Sequence, residues 1–390
     1  MTTDISTEDP IQLTQILTQI DSSNPELSGS KGAGESRIAD YIASWLEHRQ
    51  FETHRLENTP GRPSVVGILR GKGDGKSLVI NGHMDTTSLA SFAAGQDPLS
   101  GKISKDGKRI HGRGSADMKG GLAAAMAALA SVKRPDSLSG DVIFTAVADE
   151  EHASIGTKEV LDSGLCRADG AVIVEPTQLN IAIAHKGKVW IEVEILGVAA
   201  HGSSPEEGVD AIVHAGHFLV KLEEYGRRLP EDEDLGKATL HAGLIKGGEE
   251  ASSYPSSCKV TVEFRTVVGQ TPEGIVDDIK GILADLEKKV DRFRYAEPKV
   301  VFRQNPSKTD PQAGVLKILV KATEKVFGSA RPRIALAPWT DAALLHDTGI
   351  ETVIFGPKGQ GMHGADEWVE VESVKKTEEV LVNVIMAFCQ

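Results

Sequence analysis

The chain has 390 residues, with 43 Lys plus Arg against 56 Asp plus Glu, a formal net charge of −13, 40% apolar and 25% charged residues. This is longer than one typical domain and ordinary for a globular chain that buries a core, which excludes general disorder. The acid surplus argues against a nucleic-acid partner, which needs a basic face to neutralise phosphates.

Residues 1–10 carry neither a basic nor an apolar leader segment, so no secretory signal is expected. Ile38, Ile42, Trp45 and Leu46 then follow helical spacing, and Ser64–Leu69 and Ser77–Asn81 are rich in strand formers. Gly71–Ser77 looks like a phosphate loop, but Arg70 stands where that motif needs glycine and a strand follows in place of a helix, so a turn is expected. An Ala-rich helix is expected to open near Lys119; its apolar stretch, Leu122–Val132, is far short of the ~18 residues that span a bilayer. Asp141–Val147 and Gly170–Val174 continue an alternation of strands and helices that predicts an α/β layer architecture with a mixed, mainly parallel sheet flanked by helices.

Near residue 186 the pattern changes. In Val189–Ile195 apolar and polar side chains alternate, as in a half-solvated antiparallel strand. Helical stretches 208–225 and 272–290, with strand-like Cys258–Arg265 between them, predict an α+β unit; Glu231–Asp234 is expected to be a solvated loop. Helical 315–327, the strand 351–355 and a helix over 374–388 restore α/β character. The expectation is a domain of residues 1–185 and 301–390 interrupted by an inserted unit, 186–300. Cys166, Cys258 and Cys389 are odd in number and widely spaced, which predicts a reducing, cytoplasmic setting without disulfides.

Several short motifs carry chemistry. His83-Met-Asp85 closes a strand; if the chain stays extended, both side chains point the same way and a carboxylate can orient an imidazole that binds metal. Taken alone, H-x-D is commoner as a structural histidine. Asp117 stands in the glycine-rich turn Gly112–Gly121 before a helix, where it could equally be a cap. Asp149-Glu150-Glu151 and Glu175-Pro176 follow buried-looking strands, the crevice position of an α/β sheet, although acidic runs usually mark solvated turns. His363 lies in a glycine-rich loop after another strand.

Together these segments, with Ala200-His201-Gly-Ser-Ser-Pro205 and Trp339-Thr-Asp341-Ala, resemble the dinuclear zinc amidohydrolases that include acetylornithine deacetylase, succinyl-diaminopimelate desuccinylase, aminoacylase and glutamate carboxypeptidase. The likeness runs along almost the whole chain in the family's order. It implies a zinc-peptidase-like domain in which His83 and Glu175 hold one Zn²⁺, Glu151 and His363 hold the other, and Asp117 bridges them. Asp85 would orient His83 and Glu150 would be the general base. It also implies that residues 186–300 are a lid and dimer interface, that His201 stabilises the oxyanion across a homodimer, and that Arg265 takes a substrate carboxylate. Ser252 stands where the family usually has Asn near the Pro255 equivalent.

Converging carboxylates repel by about 4 kcal/mol per pair at 4 Å and an effective dielectric near 20, so such a cluster needs cations. Mixed His and carboxylate donors without Cys suit a catalytic zinc, with Co²⁺ or Mn²⁺ as substitutes. The resulting expectation is hydrolysis of an N-acyl amino acid, with a carboxypeptidase or dipeptidase as the runner-up. A silent metal-binding relative is disfavoured because every expected ligand is present.

Overall fold

A computed structural model describes residues 4–27, 32–132 and 138–390. The chain forms two compact units, one of residues up to Ile183 with Thr309–Ile334 and Thr340–Gln390, the other of Ala184–Lys308 with Ala335–Trp339. The second therefore runs a little past the read boundary at 300, to Lys308, and its brief excursion 335–339 has no pattern long enough to announce it.

In the first unit the strands Leu78–His83, Val142–Val147 and Gly170–Ile173 are buried along their whole length. That explains their largely apolar sequences, since a strand covered on both faces has no polar side to show; the polar Asn81 and Thr145 bond each other at 3.0 Å. The sheet is mixed. Parallel pairing occurs at its centre, where Val142–Val147, Leu78–His83, Gly170–Ile173 and Glu351–Ile354 lie side by side. On one flank Ser64–Leu69 pairs antiparallel with Val142–Val147, and Glu52–Leu56 antiparallel with Ser64–Leu69.

The helices are placed by simple rules. Pro10–Gln19 begins with Asp9, whose side chain accepts from the Ile11 amide at 2.8 Å, and with proline in the first turn. Ser36–His48 buries Ile38, Ile42, Trp45 and Leu46 on one stripe. Gly120–Ser131 is apolar all round and correspondingly buried from Gly120 to Leu129, packed against Val371–Phe388. A small second sheet pairs Arg109–His111 antiparallel with Trp368–Glu370, His111 opposite Trp368.

The second unit has a five-stranded antiparallel sheet in which Gly187–Leu196 is central. Its residues alternate between buried and half-buried, and Ser257–Thr266 pairs along its whole length. Helices Ala211–Gly226 and Pro272–Lys289 cover one face, enclosing Val189, Ile191, Phe218, Phe264, Ile279 and Phe293. Helix Pro272–Lys289 starts with a Thr271 side-chain cap and Pro272.

Candidate active site

The parallel centre of the sheet brings the chemistry to one edge. His83 is the last residue of its strand and lies opposite Val147, so the turn after Val147 starts beside it. Glu175 follows Gly170–Ile173 on the other side of the same strand. Gly121, at the start of the Ala-rich helix, permits this closeness: a Cβ there would lie 1.9 Å from the carbonyl oxygen of Val174.

His83, Asp117, Glu150, Glu151, Glu175 and His363 come together here. His83 Nε2 is 3.1 Å from Asp117 Oδ1, 3.7 Å from Glu175 and 3.9 Å from Glu150. His363 Nε2 is 3.2 Å from the other Asp117 oxygen and 2.9 Å from Glu151. Asp117 thus stands between two imidazoles. Donor atoms of His83, Glu150 and Glu175 lie within 4.8 Å of one another, as do those of His83, Asp117 and Glu151.

The electrostatics state what this cluster requires. Burial, reinforced by neighbouring carboxylates, pushes the Glu150 and Glu175 carboxyls well above their ordinary value, and Glu151 up to about 7. Burial also opposes ionisation of Asp117, but hydrogen bonds from His363 and His83 hold it well below the carboxylate range. Hydrogen bonds to Asp117 and Glu151 raise His363 to about 10, and Asp117 with the surrounding acids raises His83 despite its burial. The acids therefore demand positive charge. Two divalent cations meet the same demand and leave the imidazole lone pairs as ligands, so the donor set fits the metals implied by the sequence.

Asp85 acts differently from the expectation. His83 Nδ1 meets the main-chain oxygen of Asp85 at 2.9 Å, with the Asp85 carboxylate at 3.6 Å. That carboxylate instead accepts the amides of Glu150 (3.0 Å) and Glu151 (3.3 Å) and the side-chain amide of Asn24 (2.8 Å). It holds the acidic turn.

Sequence reasoning overlooked the groups that support this turn. Asp149 has φ +67°, a conformation that a non-glycine residue keeps only when its surroundings enforce it. Asn24 donates to its Oδ1 at 3.0 Å and Arg62 at 2.9 Å, while Glu35 accepts its amide at 3.2 Å. Arg62 also grips Glu35 with two nitrogens, at 2.6 and 2.8 Å. Asp341, quoted in a motif without a role, is buried with Thr157 donating to it at 2.6 Å, and its carboxyl is raised to about 6 by burial. No local pattern flags these residues, because each acts on a segment far away in sequence.

His201, Arg265 and Ser252 belong to the second unit. His201 and Ser252 are exposed; a His201 ring nitrogen lies 2.7 Å from Ser203 Oγ, and the carbonyl of Ser252 accepts the amide of Gly202. The Arg265 Nε donates to Glu263 at 2.7 Å.

The sequence model of peptidase family M20/M25/M40 matches residues 79–387. The chain belongs to this family. It is accordingly a metal-dependent hydrolase of the amidohydrolase and peptidase type. An acetylornithine deacetylase of Myxococcus xanthus is 32% identical over 363 residues, covering 90% of this chain and 92% of the relative. Among solved structures, a tripeptidase from Staphylococcus aureus shares the fold with a TM-score of 0.78 at 22% identity, covering 99% of this chain and all of the other. A dinuclear metal-binding peptidase of the M20 family from Bacillus subtilis does so with a TM-score of 0.75 at 15% identity, covering 97% of each chain. No helix among the described residues is long and apolar enough to cross a membrane.

Proposed function

We propose that the protein removes the acyl group from an N-acyl amino acid, working with two Zn²⁺ ions. The observation that carries this reading is Asp117, whose two carboxylate oxygens face His83 on one side and His363 on the other. That arrangement suits a bridging ligand. His83 and Glu175 would hold one ion, Glu151 and His363 the other. The deacylase assignment leans on the 32% identity to an acetylornithine deacetylase.

When bound, such ions lower the pKa of water towards neutrality and polarise the amide carbonyl. Glu150, buried and with its carboxyl raised, takes a proton from the attacking water and returns it to the leaving amine nitrogen. Asp85, through the amides of Glu150 and Glu151, fixes where that base sits. Arg265 binds the substrate carboxylate through the guanidinium nitrogens other than Nε, and Ser252 is a minor contact.

The same reading makes residues 186–300 a lid and the interface of a homodimer, with His201 acting on the partner's substrate. Support comes from the edge strand Thr239–Gly247, on which Leu244 and Ile245 are 70% and 57% exposed, and from the exposed Val213 and Val220 of helix Ala211–Gly226. An apolar sheet edge of this kind favours pairing with a second copy. A cytoplasmic location accords with three free cysteines.

The test is a panel of N-acetyl and N-succinyl amino acids and short peptides, assayed with Zn²⁺, Co²⁺ or Mn²⁺ and after chelation. Hydrolysis of an N-acyl amino acid that chelation abolishes and Zn²⁺ restores is expected. Cleavage of peptides alone would replace the deacylase reading with a peptidase, and full activity without metal would refute the mechanism.

A further inference from the structure

Arg113 and Glu367 form an ion pair at 2.7 Å in which both side chains are 1% exposed, and nothing in the chemistry above uses it. Glu367 accepts four donors: the amides of Ala116 and Asp117 on one oxygen, the amide of Gly114 and Arg113 Nη1 on the other, the three amides each at 3.0 Å. The second Arg113 Nη donates to the carbonyl of Gly364 at 2.8 Å, next to His363, and to Ser91 Oγ. One pair thus ties the Asp117 turn to the His363 loop.

The two segments leave the small sheet in register, His111 opposite Trp368. Their ligands meet again where His363 Nε2 lies 3.2 Å from Asp117. Between these two points the Arg113–Glu367 pair and the main-chain bond from the Gly112 amide to the Glu367 carbonyl, at 3.0 Å, set the spacing. Bulk stability does not account for the pair, because buried ion pairs are often matched by well-packed apolar residues. An apolar residue at 367 would, however, orphan three amides of a turn whose own carboxylate is directed at imidazoles. The His363 side chain is 55% exposed, so packing does little to hold it and its loop must be located from behind.

We propose that Arg113 and Glu367 are positioning residues that set the separation of Asp117 and His363, and with it the affinity for the cation on the His363 side. The inference rests on the two-cation reading above. A lysine at 113 keeps the charge, but a single ammonium cannot reproduce the fork that spans Glu367 and Gly364. Glu367→Gln keeps the shape and turns one acceptor into a donor facing donors.

The experiment is Zn²⁺ binding to wild type, Arg113→Lys, Glu367→Gln and His363→Ala by equilibrium dialysis against a buffered chelator, with elemental analysis. Apparent melting temperature in excess chelator reports folding separately. In both positioning variants the site that His363→Ala removes should lose at least ~10-fold in affinity while the other site is unchanged. Stoichiometry at intermediate free Zn²⁺ then falls from two to one, as in His363→Ala. Two wild-type-like affinities in both variants, or equal weakening of both sites alongside a lower melting temperature, overturn the inference alone. A wild type that binds one ion overturns the two-cation reading and the inference with it.

Discussion

Arg62→Met tests how the acidic turn is held. Arg62 makes two hydrogen bonds to Glu35 and one to Asp149, and all three side chains are buried. Removing one member of such a set leaves an uncompensated buried charge and is expected to cost about 3 to 5 kcal/mol. The pH dependence makes the prediction sharper. Burial pushes the Glu35 carboxyl from 4.5 up to about 7 even with Arg62 beside it, a shift worth about 3 kcal/mol. A raised acid binds its proton more tightly folded than unfolded, so its contribution to stability is full below 4.5 and declines as pH rises to 7. Without Arg62 the carboxyl rises further and the decline continues to higher pH. Urea denaturation followed by tryptophan fluorescence should therefore show a deficit that grows as pH rises above about 7, and Arg62→Met/Glu35→Gln should recover most of it. A deficit below about 1 kcal/mol, or one independent of pH, would refute the reasoning.

Three further outcomes are expected. Glu150→Gln should keep its metal but lose at least ~100-fold in turnover; near-normal hydrolysis would remove Glu150 as the base. Gly121→Ala should destabilise by about 3 kcal/mol or more in urea, because the new Cβ falls 1.9 Å from the Val174 carbonyl. Helix propensity alone predicts a gain of about 1 kcal/mol, so the sign of the change decides. Burial raises the Cys166 and Cys389 thiols to about 12 and raises Cys258 as well; none should react with a disulfide reagent in the native protein at neutral pH, and all three should in urea.

Much of the clustered site was legible because several of its His and acid residues sit at the ends of strands that local patterning identifies. His83, Glu150, Glu151 and Glu175 each end or follow a largely apolar strand, and in a sheet with parallel neighbours such strand ends share an edge. The alternation of Gly187–Leu196 likewise announced an antiparallel strand. What the Asp85 carboxylate holds was not legible, because the Glu150 and Glu151 amides that it accepts lie 65 and 66 residues away. The extent of parallel pairing was also beyond reach, since antiparallel Ser64–Leu69 is as buried as its parallel neighbours.

By itself, then, the amino-acid sequence determined the fold class, the family likeness and the residue types of the His and carboxylate cluster. These follow from local periodicity, glycine placement and charge, all of which act within a few residues. Only the tertiary structure decided what holds that cluster in shape. Arg62 reaches Asp149 across 87 residues, and Arg113 reaches Glu367 across 254. Hydrogen bonding is short in space and indifferent to separation along the chain, so these partners become visible only once the backbone has brought them together.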